Sequence, residues 1–138
     1  MKGLKIYRLL LFSMLLLSGC KDNDPVLPLA NPVEGIWEGK YGNGPKTPDW
    51  YMGFQIDADG VIHELNESGT KIGKGVWTIN GDQFLSTYHN ELPYDADYSL
   101  RATLNESGSV LKGTWGFKNN DSDGGTFELT RKKKISKR

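Results

Sequence analysis

Gly113-Thr114-Trp115-Gly116-Phe117 is the third statement of a pattern that runs through the chain. Gly35-Ile36-Trp37-Glu38-Gly39 is the first and Gly75-Val76-Trp77 the second. The second and third also share their approach. Leu65-Asn66-Glu67-Ser68-Gly69 leads to Lys74-Gly75-Val76-Trp77, and Leu104-Asn105-Glu106-Ser107-Gly108 leads to Lys112-Gly113-Thr114-Trp115. The three Trp fall 40 and 38 positions apart. Such spacing points to a repeated strand–turn–strand unit. A Gly two residues before a Trp shares its face of a strand, because side chains alternate with period two. A large ring beside a gap suits the tapered interior of a small barrel.

Working outward from these stretches, the chain from Gly35 reads as eight short strands: 35–41, 50–57, 61–66, 71–79, 83–89, 97–105, 109–117 and 125–131. Trp37, Gly39 and Tyr41 share one face, as do Tyr98, Leu100, Ala102 and Leu104, and Phe127 and Leu129. Turn chemistry separates the strands at Asp57-Ala58-Asp59-Gly60, Asn80-Gly81-Asp82 and Asn105-Glu106-Ser107-Gly108. Nothing after residue 34 has helical periodicity. The expected fold is all-β: an eight-stranded antiparallel up-and-down barrel over residues 35–131. Eight strands close around side chains or one small ligand, and closure removes two sticky edges.

The segment before the barrel reads differently. Lys2, Lys5 and Arg8 precede an apolar run over 9–17, and Leu17-Ser18-Gly19-Cys20 follows. This resembles a bacterial lipoprotein signal with its lipobox, too short in its apolar run for the roughly 20 residues of a membrane span. The resemblance implies a signal peptide over 1–19 and lipidation of Cys20, the chain's one cysteine. Residues 20–34, with Pro25, Pro28 and Pro32, read as an extended tether. In that family an Asp directly after the Cys favours retention in the inner membrane; Lys21 stands here, which implies the outer membrane. The acidic residues behind it resemble the surface-export tag of Bacteroidetes lipoproteins, though a solvated linker reads equally well. Residues 132–138 form a basic tail. Without it and Arg131, residues 20–130 hold 8 Lys and Arg against 17 Asp and Glu. So acidic a body excludes nucleic acid as a partner.

The opening Gly35-Ile36-Trp37 followed by a meander resembles the lipocalin and avidin-type (calycin) barrels, in particular the small lipocalin-like lipoproteins of Bacteroidetes. Lipocalins close their barrels with an Arg on the Trp. Here Arg131 continues the inward phase of Phe127 and Leu129, and would reach Trp37 if the last strand neighbours the first. The alternative is that Arg131 begins the solvated tail. Trp37, Trp77, Trp115, Phe54, Leu100 and Phe127 are expected in the core, with Ile56, Ile79, Leu111 and Phe117 as companions.

A meander alternates its connections between two ends. Residues 58–60, 80–82 and 106–108 make one end tight, whereas 42–49, 67–70, 90–96 and 118–124 gather longer loops at the other. Sites favour the long-loop end. The expected ligand-binding residues there are Tyr41, Trp50, Tyr51, Tyr88, His89, Tyr94 and Phe117. Both chain termini would leave from the tight end, so the mouth would point away from the membrane.

Catalytic chemistry has little support in the sequence. His63 shares the phase of Val61 and Leu65, which predicts an inward-facing histidine, and His89 sits near Glu91 in a loop. There is no nucleophile elbow, metal-ligand spacing or phosphate loop, so no enzyme, metal or cofactor is expected. Asn119-Asn120-Asp121-Ser122-Asp123-Gly124 resembles half a calcium loop, but its twelfth position is Thr130 where a bidentate Glu is needed. The leading expectation is non-catalytic binding of a small apolar or amphipathic molecule by an envelope lipoprotein. The alternatives are a protein-binding module, such as an inhibitor of a protease or lysozyme, and a structural envelope protein.

Overall fold

In the computed structural model of the chain, residues 32–133 are described. The segment expected to be a signal, the expected lipidation site Cys20, most of the expected tether and the tail from residue 134 lie outside them. Eight strands follow one another: β1 (Gly35–Asn43), β2 (Trp50–Ile56), β3 (Val61–Leu65), β4 (Lys71–Asn80), β5 (Gln83–Asn90), β6 (Ala96–Leu104), β7 (Val110–Phe117) and β8 (Gly125–Lys133). Each pairs antiparallel with the next, and β8 pairs with β1 to close the barrel.

Alternation explains most of the inside. Along β5, Phe84, Ser86, Tyr88 and Asn90 are buried, while Leu85, Thr87 and His89 are exposed. The tight end is filled solid by Trp37, Ile56, Ile62, Trp77, Phe84 and Leu111. Fully burying such side chains contributes roughly 1.5–3 kcal/mol each. Phe54, Leu100 and Phe127 continue this core upward.

All three repeated Trp are buried, and each indole N–H reaches a backbone carbonyl. Trp37 donates to Val33 at 2.8 Å, Trp77 to Asp57 at 3.0 Å, and Trp115 to Gly42 at 3.0 Å. The rings therefore occupy the interior without an unpaired donor. Val33, assigned to the tether by its Pro-rich surroundings, is fully buried and belongs to the core cluster. The chain is thus anchored to the barrel floor before β1 begins.

The gap expected beside each Trp is absent in two of the repeats. A Cβ at Gly75 or Gly113 would collide with the backbone carbonyl of Thr87 or Arg101 on the neighbouring strand. These glycines let strands approach closely, as a strongly coiled small barrel requires.

One phase differs from expectation. His63 faces outward opposite Gln55, and Ile62 and Glu64 face inward opposite Ile56 and Phe54. The cross-strand register decides this, because Phe54 and Ile56 are buried. A bulge between Glu64 and Leu65 then shifts Leu65, which is buried but stands outside the core cluster. Val61 and His63 thus share the outer face of β3, the opposite phase to the one expected.

Arg131 pairs with Trp37 across the β1–β8 seam, and its guanidinium carbon lies 4.8 Å from the ring centroid. Its Nη2 donates to the Pro32 carbonyl, and its backbone N–H donates to Ser109 at 2.9 Å. The first strand, the segment before it and the β6–β7 turn meet on this one residue.

Candidate functional site: an aromatic cavity at the barrel mouth

Above the filled floor the barrel opens into a cavity of about 290 Å³ at the long-loop end. Seven of its ten lining residues are aromatic. Their positions follow from strand phase. Tyr41 ends the inward series of β1, and Trp50 opens that of β2 opposite it. Tyr88 and Tyr98 face each other across β5 and β6, and Trp115 and Phe117 end β7. Tyr94 comes from the β5–β6 loop.

The rings form a continuous belt. Tyr41 meets Trp50 and Trp115 edge to face, with centroids 5.7 and 5.4 Å away. Tyr98 stacks on Tyr88 at 5.4 Å and touches Trp115 and Phe117 at 6.0 and 5.5 Å. Such pairs add about 0.5–1.5 kcal/mol each beyond their burial.

Glu64 is the one acidic group in this wall, and no Lys, Arg or His lines it. Among the described residues it forms no ion pair. Its partner is Asn90, whose Nδ2 donates to Oε2 at 2.6 Å. Burial pushes the Glu64 carboxyl above the ordinary glutamate range, and the Asn90 hydrogen bond opposes that. Burial likewise raises the phenols of Tyr41, Tyr98 and above all Tyr88, with the Glu64 charge adding to each. At neutral pH the phenols are therefore uncharged, and Glu64 carries whatever charge the cavity has.

Asn90 also fixes the mouth. Only 1% of it is exposed, and its Oδ1 accepts the Tyr94 backbone N–H at 3.1 Å. One side chain thus ties the carboxylate to the loop that carries Tyr94. On the opposite rim, Gly44 donates to the Gly124 carbonyl at 2.7 Å, and Gly124 lies against the Trp115 ring. The β1–β2 and β7–β8 loops are joined there.

No family model and no curated protein matches this chain. The site's chemistry has to be read from its own residues.

Of the residues expected at the mouth, Tyr41, Trp50, Tyr88, Tyr94 and Phe117 line the cavity together. Tyr51 and His89 do not. Tyr51 is in the outward phase of β2, and its hydroxyl lies over bare Gly53. His89 lies on the outer wall, with Nδ1 2.8 Å from Asp97 and Nε2 3.1 Å from Asp95. Bonds to Asp97 and then Asp95 hold its pKa above the ordinary imidazole value. His63 lies 3.6 Å from Asp57 on the same outer surface, and burial, then Lys71, lowers its pKa.

Sequence reading missed Glu64, Met52 and Tyr98 as cavity residues, and placed Trp115 first in the core. The signal for Glu64 was present. Pairing outward from the Asp57–Gly60 turn puts Ile62 opposite Ile56 and hence Glu64 opposite Phe54.

The Asn119–Gly124 stretch spends its oxygens on its own fold. Asn120 accepts from Ser122, Asp121 pairs with Arg101 at 2.8 Å, and Asp123 caps the Phe117 N–H at 2.8 Å. These are turn contacts.

Proposed function

We propose that this chain is a lipid-anchored envelope protein, of the lipocalin-like lipoprotein type, whose barrel binds a small amphipathic molecule at its mouth without catalysis. The observation that carries the binding reading is the aromatic cavity of about 290 Å³ above a solid floor. That volume is at the lower end of small-molecule sites, so the ligand is small or inserts one end only. The signal-like start and Cys20 carry the anchoring. Pro32 and the end of β8 both lie at the closed end, so a tether there would aim the mouth away from the membrane.

The test is fluorescence titration with N-phenylnaphthylamine, a neutral probe that brightens in apolar surroundings. Saturable binding that quenches Trp115 and is lost in Tyr98→Ala supports the reading. No binding by the folded protein overturns it.

A second reading has its own observation. Trp50, Leu92, Tyr94 and Phe117 are exposed around the mouth by 47 to 67%. Contiguous exposed aromatic surface is a common protein-contact feature. On this reading the rim docks an envelope protein, and cavity-filling Met52→Phe would leave the complex intact.

A further inference from the structure

The cavity combines two features that oppose each other. An aromatic ring carries partial negative charge on its faces. Here Tyr41, Tyr88, Tyr98 and Trp115, with the rim rings of Trp50 and Phe117, surround a carboxylate that has one hydrogen-bond donor and no cation. A half-buried carboxylate without a counter-charge carries part of the cost of burying an unpaired charge. It is a liability for a neutral apolar ligand too, since such a ligand would strip water from Glu64 and return nothing. A cation reverses every one of these signs: the ring faces attract it and the carboxylate pairs with it.

We infer that the mouth cavity holds a small organic cation, an alkylated ammonium, with its charged head among Tyr41, Tyr88, Tyr98 and Trp115 and against the Glu64 carboxylate. This rests on the reading that the cavity takes a small molecule at all, and names the chemistry of that molecule. Several observations narrow the class. The donor set suits an organic ammonium better than a metal ion, because one carboxylate among aromatic rings lacks the six or more oxygens calcium takes. The rings meet at angles from 27 to 86°, so they offer π-surface in several directions, as a rounded methylated head requires. The cavity's size fits such a head with a short substituent. Asn90 holds Glu64 in place and positions Tyr94 over the opening, so head group and rim are set by one side chain. Finally, residues 20–130 carry 17 acidic against 8 basic groups, a field that draws cations toward the barrel.

The pH behaviour follows from the groups facing Glu64. Tyr41, Tyr88 and Tyr98 are neutral through the neutral range, and Asn90 does not titrate. Affinity for a cation therefore falls as pH is lowered through the Glu64 range, starting above the pH at which an ordinary glutamate is protonated.

The experiment compares choline with dimethylbutanol, its neutral carbon isostere, by calorimetry on the purified protein, with N-phenylnaphthylamine as a third probe. At neutral pH choline should bind about tenfold or more tightly than the isostere, and it should displace the naphthylamine. The preference should vanish at acid pH and in Glu64→Gln, while Glu64→Gln still binds the naphthylamine. Should that variant fail to fold, the pH series on the unaltered protein reads the same group. Naphthylamine binding with no preference for choline would overturn the cation and leave the cavity reading standing. Binding of none of the three would overturn both.

Discussion

At the scale of single residues, Asn90 joins the polar groups of the site to each other. It is the donor to Glu64 and the acceptor for Tyr94, and solvent reaches almost none of it. Asn90→Ala leaves a half-buried carboxylate and a backbone N–H without partners. One unmet group of this kind costs about 1–3 kcal/mol, so with two of them chemical denaturation should show a loss of about 2 kcal/mol or more. The two histidines make a second residue-scale prediction. His89 bridges two carboxylates and titrates above the ordinary imidazole value; His63 is lowered by burial and Lys71 despite its neighbour Asp57. The stabilisation from the His89 contacts is present at acid pH and fades as pH rises through its raised value. For His63 the sense is opposite: protonating it on acidification disfavours the fold. NMR titration of the ring protons should give two well-separated midpoints, His89 the higher. Coincident midpoints would mean that neither outer-wall environment holds in solution.

At the scale of elements, the repeated Asn-Glu-Ser-Gly cassette makes an Asn-capped turn twice, the second one residue longer than the first. Asn66 Oδ1 caps the N–H groups of Ser68 and Thr70, and Asn105 Oδ1 caps those of Ser109 and Val110. In both, the Gly has positive φ, 80° at Gly69 and 66° at Gly108. Yet the first copy is at the mouth and the second at the closed end, because three strands, an odd number, separate them. The Trp that follows each copy is inverted with it. Trp77 drops to the floor, and Trp115 rises to the cavity wall. Local chemistry thus repeats while its place in the barrel alternates. Substituting Asn105 by Ala should cost about 1 kcal/mol, since two N–H groups of an exposed turn lose their acceptor to water. Gly113→Ala should cost more, about 1–3 kcal/mol, because its clash is with a backbone carbonyl that cannot turn aside. Thermal melts of the two variants rank them directly.

At the scale of the whole molecule, the barrel is solid below and hollow above, and the seam between β1 and β8 carries the seal. Arg131 covers Trp37 and holds Pro32, so its loss should unfasten the first and last strands together. A cation–π contact of this type contributes about 0.5–2 kcal/mol. Arg131→Ala should lower stability by at least that amount, and Arg131→Lys should recover only part, lacking the planar fork. Hydrogen exchange should show the extra opening concentrated in β1 and β8. Uniform loss across the sheet would argue that the floor is held by packing alone.

The sequence alone determined the strands, their turns, the closed meander and the division into a tight and a long-loop end. Each of those rests on neighbours a few residues apart: alternation, Asx-Gly turns, loop length. Alternation along β3 could not determine which of its faces looks inward, because a strand's phase is set by its partners. For that reason Glu64 shows only through its pairing with β2, while Tyr51 and His89 looked like mouth residues and lie on the outer wall. Nor could the sequence determine that large rings fill the floor and leave the mouth open. That outcome depends on volumes brought together from all around the barrel, where residues far apart in sequence share one enclosed space.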